Sequence, residues 1–357
     1  MKVYDVIGLM SGTSLDGLDI AYCTFKLNKG KWIYTLNCSE TIKYSKAWYV
    51  RLKESHLLTS ENLLQTHSEY GVLLGDNVKK FIRKNRLKNV DLVSSHGHTI
   101  FHRPEKGYTF QIGNGASLAS TCKLKVICDF RILDVALKGQ GAPLVPIGDR
   151  LLFPEYNFCL NLGGFSNISF ENKGNRIAFD ICPVNTVLNY LASVKGKSFD
   201  KNGLLAKSGR VSKALLHKLN MLEYYTKSHP KSLGREWLEK HFLPLIDSYS
   251  VSTEDKLATV IEHIACQIST AIFTRSKKGK VLITGGGTNN KFLVERIREM
   301  LPGYQIIIPS KSLINFKEAL VFAFLGVLKM EQKINTLHSV TGAISDSSGG
   351  VIYLPAK

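Results

Sequence analysis

Val6-Ile7-Gly8-Leu9-Met10-Ser11-Gly12-Thr13-Ser14-Leu15-Asp16-Gly17-Leu18-Asp19-Ile20-Ala21-Tyr22 lies close to the start of this 357-residue chain. An apolar run enters the stretch and another leaves it, with glycines, hydroxyls and two carboxylates between them. That pattern predicts a strand, a tight turn and a return strand. Gly12 and Gly17 let the backbone approach a ligand and turn its N–H groups inward, as an anion-binding nest requires. Thr13 and Ser14 add hydroxyl donors. Asp16 and Asp19 disfavour a bare phosphate, so the combination points to a phosphate that arrives with a divalent cation. The plainer reading is a β-hairpin with a polar turn, but such a turn rarely needs so many small and hydroxylated residues in one run.

Outward from this stretch, composition sets the class. The chain is 44% hydrophobic, with a mean hydropathy of -0.03, as expected of a soluble globular protein with room for two domains. No apolar run has the length of a membrane span, and Met1-Lys2-Val3-Tyr4-Asp5 leads straight into a strand without a signal-peptide core. Seven cysteines, at 23, 38, 122, 128, 159, 182 and 266, form no CxxC pair. They read as buried thiols in a reducing cytoplasm. The net charge of +18 comes mostly from lysines spread along the chain. Without an arginine-rich helix it argues against specific nucleic-acid binding and for a general attraction to small anions.

Downstream, Lys31–Leu36 predicts a third antiparallel strand and residues 47–86 predict helices. Val90–Ser95 predicts a buried strand running into the polar segment His96-Gly97-His98-Thr99-Ile100-Phe101-His102. Lys125–Cys128 predicts another, ending at Asp129-Phe130-Arg131 before the loop Lys138-Gly139-Gln140-Gly141-Ala142-Pro143. Phe158–Phe170 then repeats the opening pattern, with its glycine turn at Gly163-Gly164. Arg176–Asp180 predicts a strand ending at Asp180, with a helix starting near Pro183-Val184-Asn185. Helices are expected over 209–225, 234–247 and 254–276. Lys280–Thr284 is a strand broken by Gly285-Gly286-Gly287-Thr288-Asn289-Asn290, where three glycines clear space for a flat ring against the backbone. A helix from 291, the strand Tyr304–Ile308 and the helix Phe316–Met330 complete the reading. His96, His98 and His102 raise a zinc site, which no carboxylate at fitting spacing supports.

Glycine turns at 8–19, 161–167 and 284–290 resemble the layout of the sugar kinase, Hsp70 and actin superfamily. More closely, Gly8 to Asp19 resembles the signature of the anhydro-N-acetylmuramic acid kinases. So do Ser95-His96-Gly97, Asp129-Phe130-Arg131, Gly139–Pro146, Asn161–Gly164, Lys231–Glu236, Gly285–Gly287, Glu318-Ala319 and Ser339–Ala343. The resemblance implies an α/β, two-domain, ribonuclease H-like fold with an inter-domain cleft. Domain I is expected over 1–127 plus about 345–357, and domain II over 128–344. The implied reaction adds water across the ether of 1,6-anhydro-N-acetylmuramic acid and phosphorylates the released oxygen from ATP, with Mg²⁺. The products are N-acetylmuramate 6-phosphate and ADP, in peptidoglycan recycling.

On that resemblance, Asp180 matches the catalytic aspartate, a base for the attacking water. Read from the residues alone, Asp180 is equally an N-cap for the helix that follows. Glu318 matches a family glutamate that positions sugar or water; otherwise it is a solvated helix residue. Gly12, Thr13, Ser14, Leu15, Asp16, Gly17, Leu18 and Asp19 become the first phosphate loop, with Asp16 or Asp19 at the metal. Gly163 and Gly164 become the second loop, and Gly285, Gly286, Gly287 and Asn289 bracket adenosine. His96, Arg131 and Gln140 are assigned to the sugar. The resemblance also implies a homodimer. Departures from the family pattern occur at Ile181, Cys182, Val184, Lys317 and His98, so a nucleotide-dependent sugar sensor and a kinase for another amino sugar stand as alternatives.

Overall fold

The computed structural model describes residues 2–355. In chain order its first strands are β1 (Val3–Ser11), β2 (Leu18–Asn28), β3 (Lys31–Ile42), β4 (Leu92–Arg103), β5 (Tyr108–Ile112) and β6 (Val126–Cys128). There follow β7 (Phe158–Leu162), β8 (Phe165–Asn172), β9 (Asn175–Pro183), β10 (Gly279–Thr284), β11 (Tyr304–Ile307) and β12 (Val351–Tyr353). The chain divides into two compact units, 1–153 with 316–357, and 154–315.

In the first unit the sheet order is β12-β6-β4-β1-β2-β3, with β5 paired to β4. β1, β2 and β3 form an antiparallel meander, and β4 and β6 add in parallel beside β1. In the second unit the order is β11-β10-β7-β8-β9. Here too three antiparallel strands, β7 to β9, are followed by two parallel ones, β10 and β11. The same strand order and directions thus occur twice, which is the doubled ribonuclease H-like arrangement implied by the resemblance. A parallel strand needs a long crossover connection, and the intervening helices supply it.

Each sheet is covered by its own helices. In the first unit Ile7, Leu9 and Ile20 pack with Tyr70, Leu74, Val78 and Phe81 of the long helix Ser60–Lys84, all essentially dry. In the second, Leu160, Ile168 and Ile283 pack with Val260, Ile264 and Ile268 of the helix Thr253–Phe273. Among the described residues, no helix is long and apolar enough to cross a membrane.

Several boundaries differ from those expected. The compact units part at 153/154 and 315/316 rather than at 127/128 and 344/345. The helix Val145–Leu152 and the helix Lys311–Met330 from Phe316 onward belong to the first unit, where Gly148 sits against Val321 and a Cβ on Gly8 would lie 2.0 Å from the Ala319 carbonyl. The segment His96–His102 is not a loop after a strand: β4 runs on to Arg103 because its second half pairs with β5. Nor does β9 end at Asp180; it continues to Pro183, which pairs with Phe165. The helix expected over 209–225 is interrupted, with α-helix only over Leu204–Ser208 and Lys213–Asn220 and a 3-10 turn at Glu223–Thr226. The last long helix starts at Lys311, not Phe316, and is broken at Phe316.

Candidate active site

In the first unit the β1–β2 turn is held by the Leu15 N–H donating to the Gly12 carbonyl at 3.2 Å, with Leu15 at φ 60°. The amides of Thr13 and Ser14 donate to no protein acceptor among the described residues, and both side chains are exposed. Gly17 has a local reason: a Cβ there would meet the Ile42 carbonyl at 2.7 Å. Leu18 turns into the core, so only its backbone can face a ligand. Asp16 is exposed in the turn. Asp19, on β2, accepts from the Thr41 hydroxyl at 2.5 Å. Partial burial pushes the Asp19 carboxyl up, Thr41 opposes this, and the nearby Asp16 charge adds to the push. Two carboxylates that repel each other beside unclaimed amides and hydroxyls suit a hard cation shared with phosphate oxygens and water. No group of three or more His, Cys, Asp or Glu is arranged to hold a metal among the described residues.

Arg131 follows β6 and is held from two sides. Its Nε and Nη2 donate to His96 Nε2 at 3.0 and 2.9 Å, and its Nη1 donates to the Gly141 carbonyl at 2.7 Å. His96 in turn donates from Nδ1 to the Gly97 carbonyl at 2.9 Å, which leaves Nε2 free to accept. Burial first, and the guanidinium second, hold this imidazole well below its ordinary pKa. Burial likewise lowers Arg131 to about 10, opposed by the charges of Glu318 and Asp134. Asp134 Oδ2 accepts from the Gly141 N–H at 2.7 Å, and Gln140 donates from its backbone to the Thr341 carbonyl at 2.8 Å. The exposed Gln140 side chain therefore sits on a firmly tied loop.

Glu318 is exposed on its helix. Surrounding protein raises its carboxyl, Arg131 pulls it down and Asp19 pushes it up. Because water reaches the side chain, the upward push is discounted. Asp19, Arg131 and Glu318 nevertheless share one electrostatic neighbourhood. The histidines read as a zinc alternative are otherwise engaged. His98 Nδ1 bonds the Ser11 hydroxyl at 2.8 Å and His102 Nδ1 bonds the Thr109 hydroxyl at 3.0 Å.

In the second unit the β7–β8 turn faces its carbonyls onto the helix Asn185–Ser193. Gly164 accepts from the Val184 N–H at 2.8 Å, and Gly163 and Leu162 accept from Asn185 Nδ2 at 2.8 and 3.0 Å. With their carbonyls so committed, the Gly163 and Gly164 amides donate to no protein acceptor among the described residues. The loop Gly285–Asn289 lies alongside, at the end of β10. A Cβ on Gly285 would meet Asn161 Oδ1 at 2.5 Å and one on Gly287 would meet Leu162 Cβ at 2.7 Å. A Cβ on Gly286 would meet nothing nearer than Asn185 Nδ2 at 3.7 Å. Two of the three glycines are thus small because β7 lies against them, whereas Gly286 and Asn289 are exposed.

Asp180 is not a helix cap: the next helix starts at Asn185, with Val184 at its N-cap. Instead its Oδ2 accepts from the Leu233 N–H at 2.8 Å, while Oδ1 has no protein partner among the described residues. Its backbone is clamped as well, N–H to the Lys231 carbonyl at 3.2 Å and carbonyl from the Tyr224 hydroxyl at 2.6 Å. Burial raises the Asp180 carboxyl to about 6, with the Leu233 amide opposing. Leu233 and Tyr224 carry no role in the sequence reading. The run Lys231–Glu236 matched the family pattern, but a backbone donor has no signature in residue type.

A family model described as anhydro-N-acetylmuramic acid kinase matches residues 4–355. The chain belongs to the anhydro-N-acetylmuramic acid kinase family. Relatives of that name include one from Mannheimia succiniciproducens, 35% identical over 376 residues, covering 99% of each chain. One from Pseudomonas syringae pv. syringae is 33% identical and covers 97% of this chain and 98% of its own. A third, from Caldanaerobacter subterraneus subsp. tengcongensis, is 34% identical and covers 95% and 94%. Family membership accounts for the doubled sheet and its glycine turns: the fold is that of the sugar kinase, Hsp70 and actin superfamily.

Proposed function

We propose that this family member uses ATP and water to convert 1,6-anhydro-N-acetylmuramic acid to N-acetylmuramate 6-phosphate and ADP, in the recycling of cell-wall sugars. The observation that carries the reading is Asp180. It has one oxygen pinned by a backbone amide, the other unclaimed, and a carboxyl raised to about 6. Such a group is still mostly ionised at neutral pH and is a stronger base than an ordinary aspartate.

Asp180 takes a proton from the water that attacks the anomeric carbon. The bond from that carbon to the ether oxygen breaks, and the oxygen accepts the γ-phosphoryl group as ADP leaves. An inverting glycoside hydrolase needs a second carboxylic acid to protonate its leaving oxygen. Here phosphoryl transfer neutralises that oxygen, so one base suffices. Arg131, aimed by His96 and Gly141, takes the sugar's carboxylate or hydroxyls with Gln140. Glu318 positions sugar or water.

For the nucleotide, the amides and hydroxyls of Gly12 to Ser14 hold phosphate oxygens in the first unit. The amides of Gly163 and Gly164 do so in the second, where Gly285 to Gly287 and Asn289 flank adenosine. Asp16 and Asp19 would hold Mg²⁺, directly or through water, and bound there it would neutralise the β- and γ-phosphate oxygens. An activity that consumes ATP fits a cytoplasmic enzyme, and a homodimer is part of the same reading.

The departures at Ile181, Cys182 and Val184 favour retained chemistry over a sensor, since all three side chains are buried in the second unit's core. The deciding experiment supplies ATP and the anhydro sugar in ¹⁸O-water. Label at the anomeric carbon and none in the phosphate is the expected result. Label in phosphate, or faster phosphorylation of an intact amino sugar, refutes the reading.

A further inference from the structure

Lys317 stands directly before Glu318, yet it is buried, 6% exposed, against an Asp149 that is 4% exposed. Its Nζ lies 2.6 Å from Asp149 Oδ1 and 5.3 Å from the centre of the Phe153 ring. Asp149 is on the helix Val145–Leu152 and Lys317 on the helix Lys311–Met330. One residue before Lys317 that helix is broken at Phe316, with φ -118° and ψ 15°. Two residues after it, the Ala319 carbonyl is seated so closely on β1 that a Cβ at Gly8 would lie 2.0 Å away. The chain also passes between its compact units at 153/154 and 315/316, so the pair ties the segment about to leave the first unit to the one that has just returned to it.

The first helical turn after the break at 316 buries Lys317, Ala319 and Leu320, with Lys317 as its one buried charge. Glu318 is on that turn. A buried ion pair is a poor source of stability, since replacing both partners by apolar residues of similar volume is often neutral or stabilising. What such a pair does supply is direction, because a short Nζ–Oδ contact in a dry site admits few geometries. Phe153 stacked beneath the ammonium narrows them further.

We propose that the Lys317–Asp149 ion pair is the positioning device for Glu318, fixing the turn after the Phe316 break so that the carboxylate stays beside Arg131 and Asp19. The proposal rests on the reading of Glu318 as a group that positions sugar or water.

The test compares Lys317→Met, the double replacement Lys317→Met with Asp149→Leu, and both in a Glu318→Gln background. Lys317→Met alone lowers Tm, because it removes the ammonium that lies 2.6 Å from the buried Asp149 carboxylate. The double replacement returns Tm to the starting value or above. Its kcat stays at least tenfold down, while KM for ATP changes less than twofold. On top of Glu318→Gln, which itself lowers kcat, the double replacement lowers kcat less than twofold further. Recovery of kcat together with Tm in the double replacement would show a merely structural pair. A full tenfold further loss on top of Glu318→Gln would show that the pair acts through some other group. Unchanged turnover in Glu318→Gln alone would remove the reading of Glu318, and the proposal with it.

Discussion

Replacing Asp180 by asparagine separates function from stability in a way that pH can expose. Burial raises this carboxyl from 3.8 to about 6 in the folded chain. A raised folded pKa means that the ionised form is disfavoured by folding. The group's contribution is therefore intact below pH 3.8 and lost progressively as pH rises through about 6, after which it is constant. At about 1.4 kcal/mol per pH unit, a shift of about 2 units sets a ceiling near 3 kcal/mol. Residual solvent around a side chain that is not fully dry reduces the expectation to about 1–2 kcal/mol. Asparagine keeps an oxygen to accept from Leu233 and carries no charge. The variant should thus be more stable than wild type by about 1–2 kcal/mol at pH 8, or roughly 2–8 °C in Tm. That advantage should shrink to about a third by pH 4.5 and vanish below pH 3.8. Turnover should fall by about 10²–10⁴, the usual value of a general base. Urea unfolding at pH 8 and pH 4.5, with turnover at pH 8, measures all three. An equal stability difference at both pH values, or turnover within tenfold of wild type, would refute the burial argument and the base assignment respectively.

Leu233→Pro deletes the donor to Asp180 Oδ2, so the acid limb of the kcat profile should move upward from about 6 by about 1 unit, as loss of a hydrogen bond to a charged group implies. A limb that stays in place would show that the amide does not tune the base. His96 is held well below its ordinary pKa and His98 is lowered to about 4, both by burial. The wild-type acid limb should therefore fit one ionisation, and a second between pH 6 and 7 would contradict the neutral His96 that Arg131 donates to. Gly286→Ala should leave Tm unchanged and raise KM for ATP, whereas Gly287→Ala should lower stability by about 1–3 kcal/mol through its clash with Leu162. Equal Tm values for the two would overturn the distinction between them. Arg131→Met should raise KM for the sugar by at least tenfold while KM for ATP holds, read from steady-state kinetics with each substrate varied in turn.

The hairpins around Gly12 and Gly163 were legible because strand alternation and a glycine turn are local signals, confined to a dozen residues. The extension of β4 was not. His96-Gly97-His98 is polar and contains a glycine at φ 75°, and only pairing with β5 makes it a strand. Which unit the segment around 316–330 joins was hidden for a similar reason. Its allegiance depends on Ala319 meeting Gly8 and Val321 meeting Gly148, contacts between residues far apart in the chain. The glycines at 285 and 287 mislead in another way. Glycine marks a place where something comes close, and here that something is Leu162 as well as any ligand. Backbone donors are the residual blind spot. The N–H that holds Asp180 is the same in every residue except proline, so nothing in Leu233 advertises it.

The departures from the family pattern show why substitutions beside a base need not touch it. Ile181 is the extra residue of a β-bulge on β9, between Asp180, which pairs with Asn167, and Cys182, which pairs with Ser166, and it lies 3% exposed in the core. Cys182, beyond the bulge, pairs with Ser166 and so stands on the face opposite to Asp180. Its thiol is completely buried, 3.3 Å from the Ser166 hydroxyl, and burial pushes its pKa up to about 12. A thiol so held stays neutral across the working range and adds no charge to oppose the carboxylate. Val184, also fully buried, is the N-cap of the next helix and donates its N–H to Gly164. Any residue but proline can make that bond. The surroundings that set the base are therefore its burial and the amide of Leu233, and the side chains at 181, 182 and 184 bring neither a charge nor a hydrogen bond to the Asp180 carboxyl.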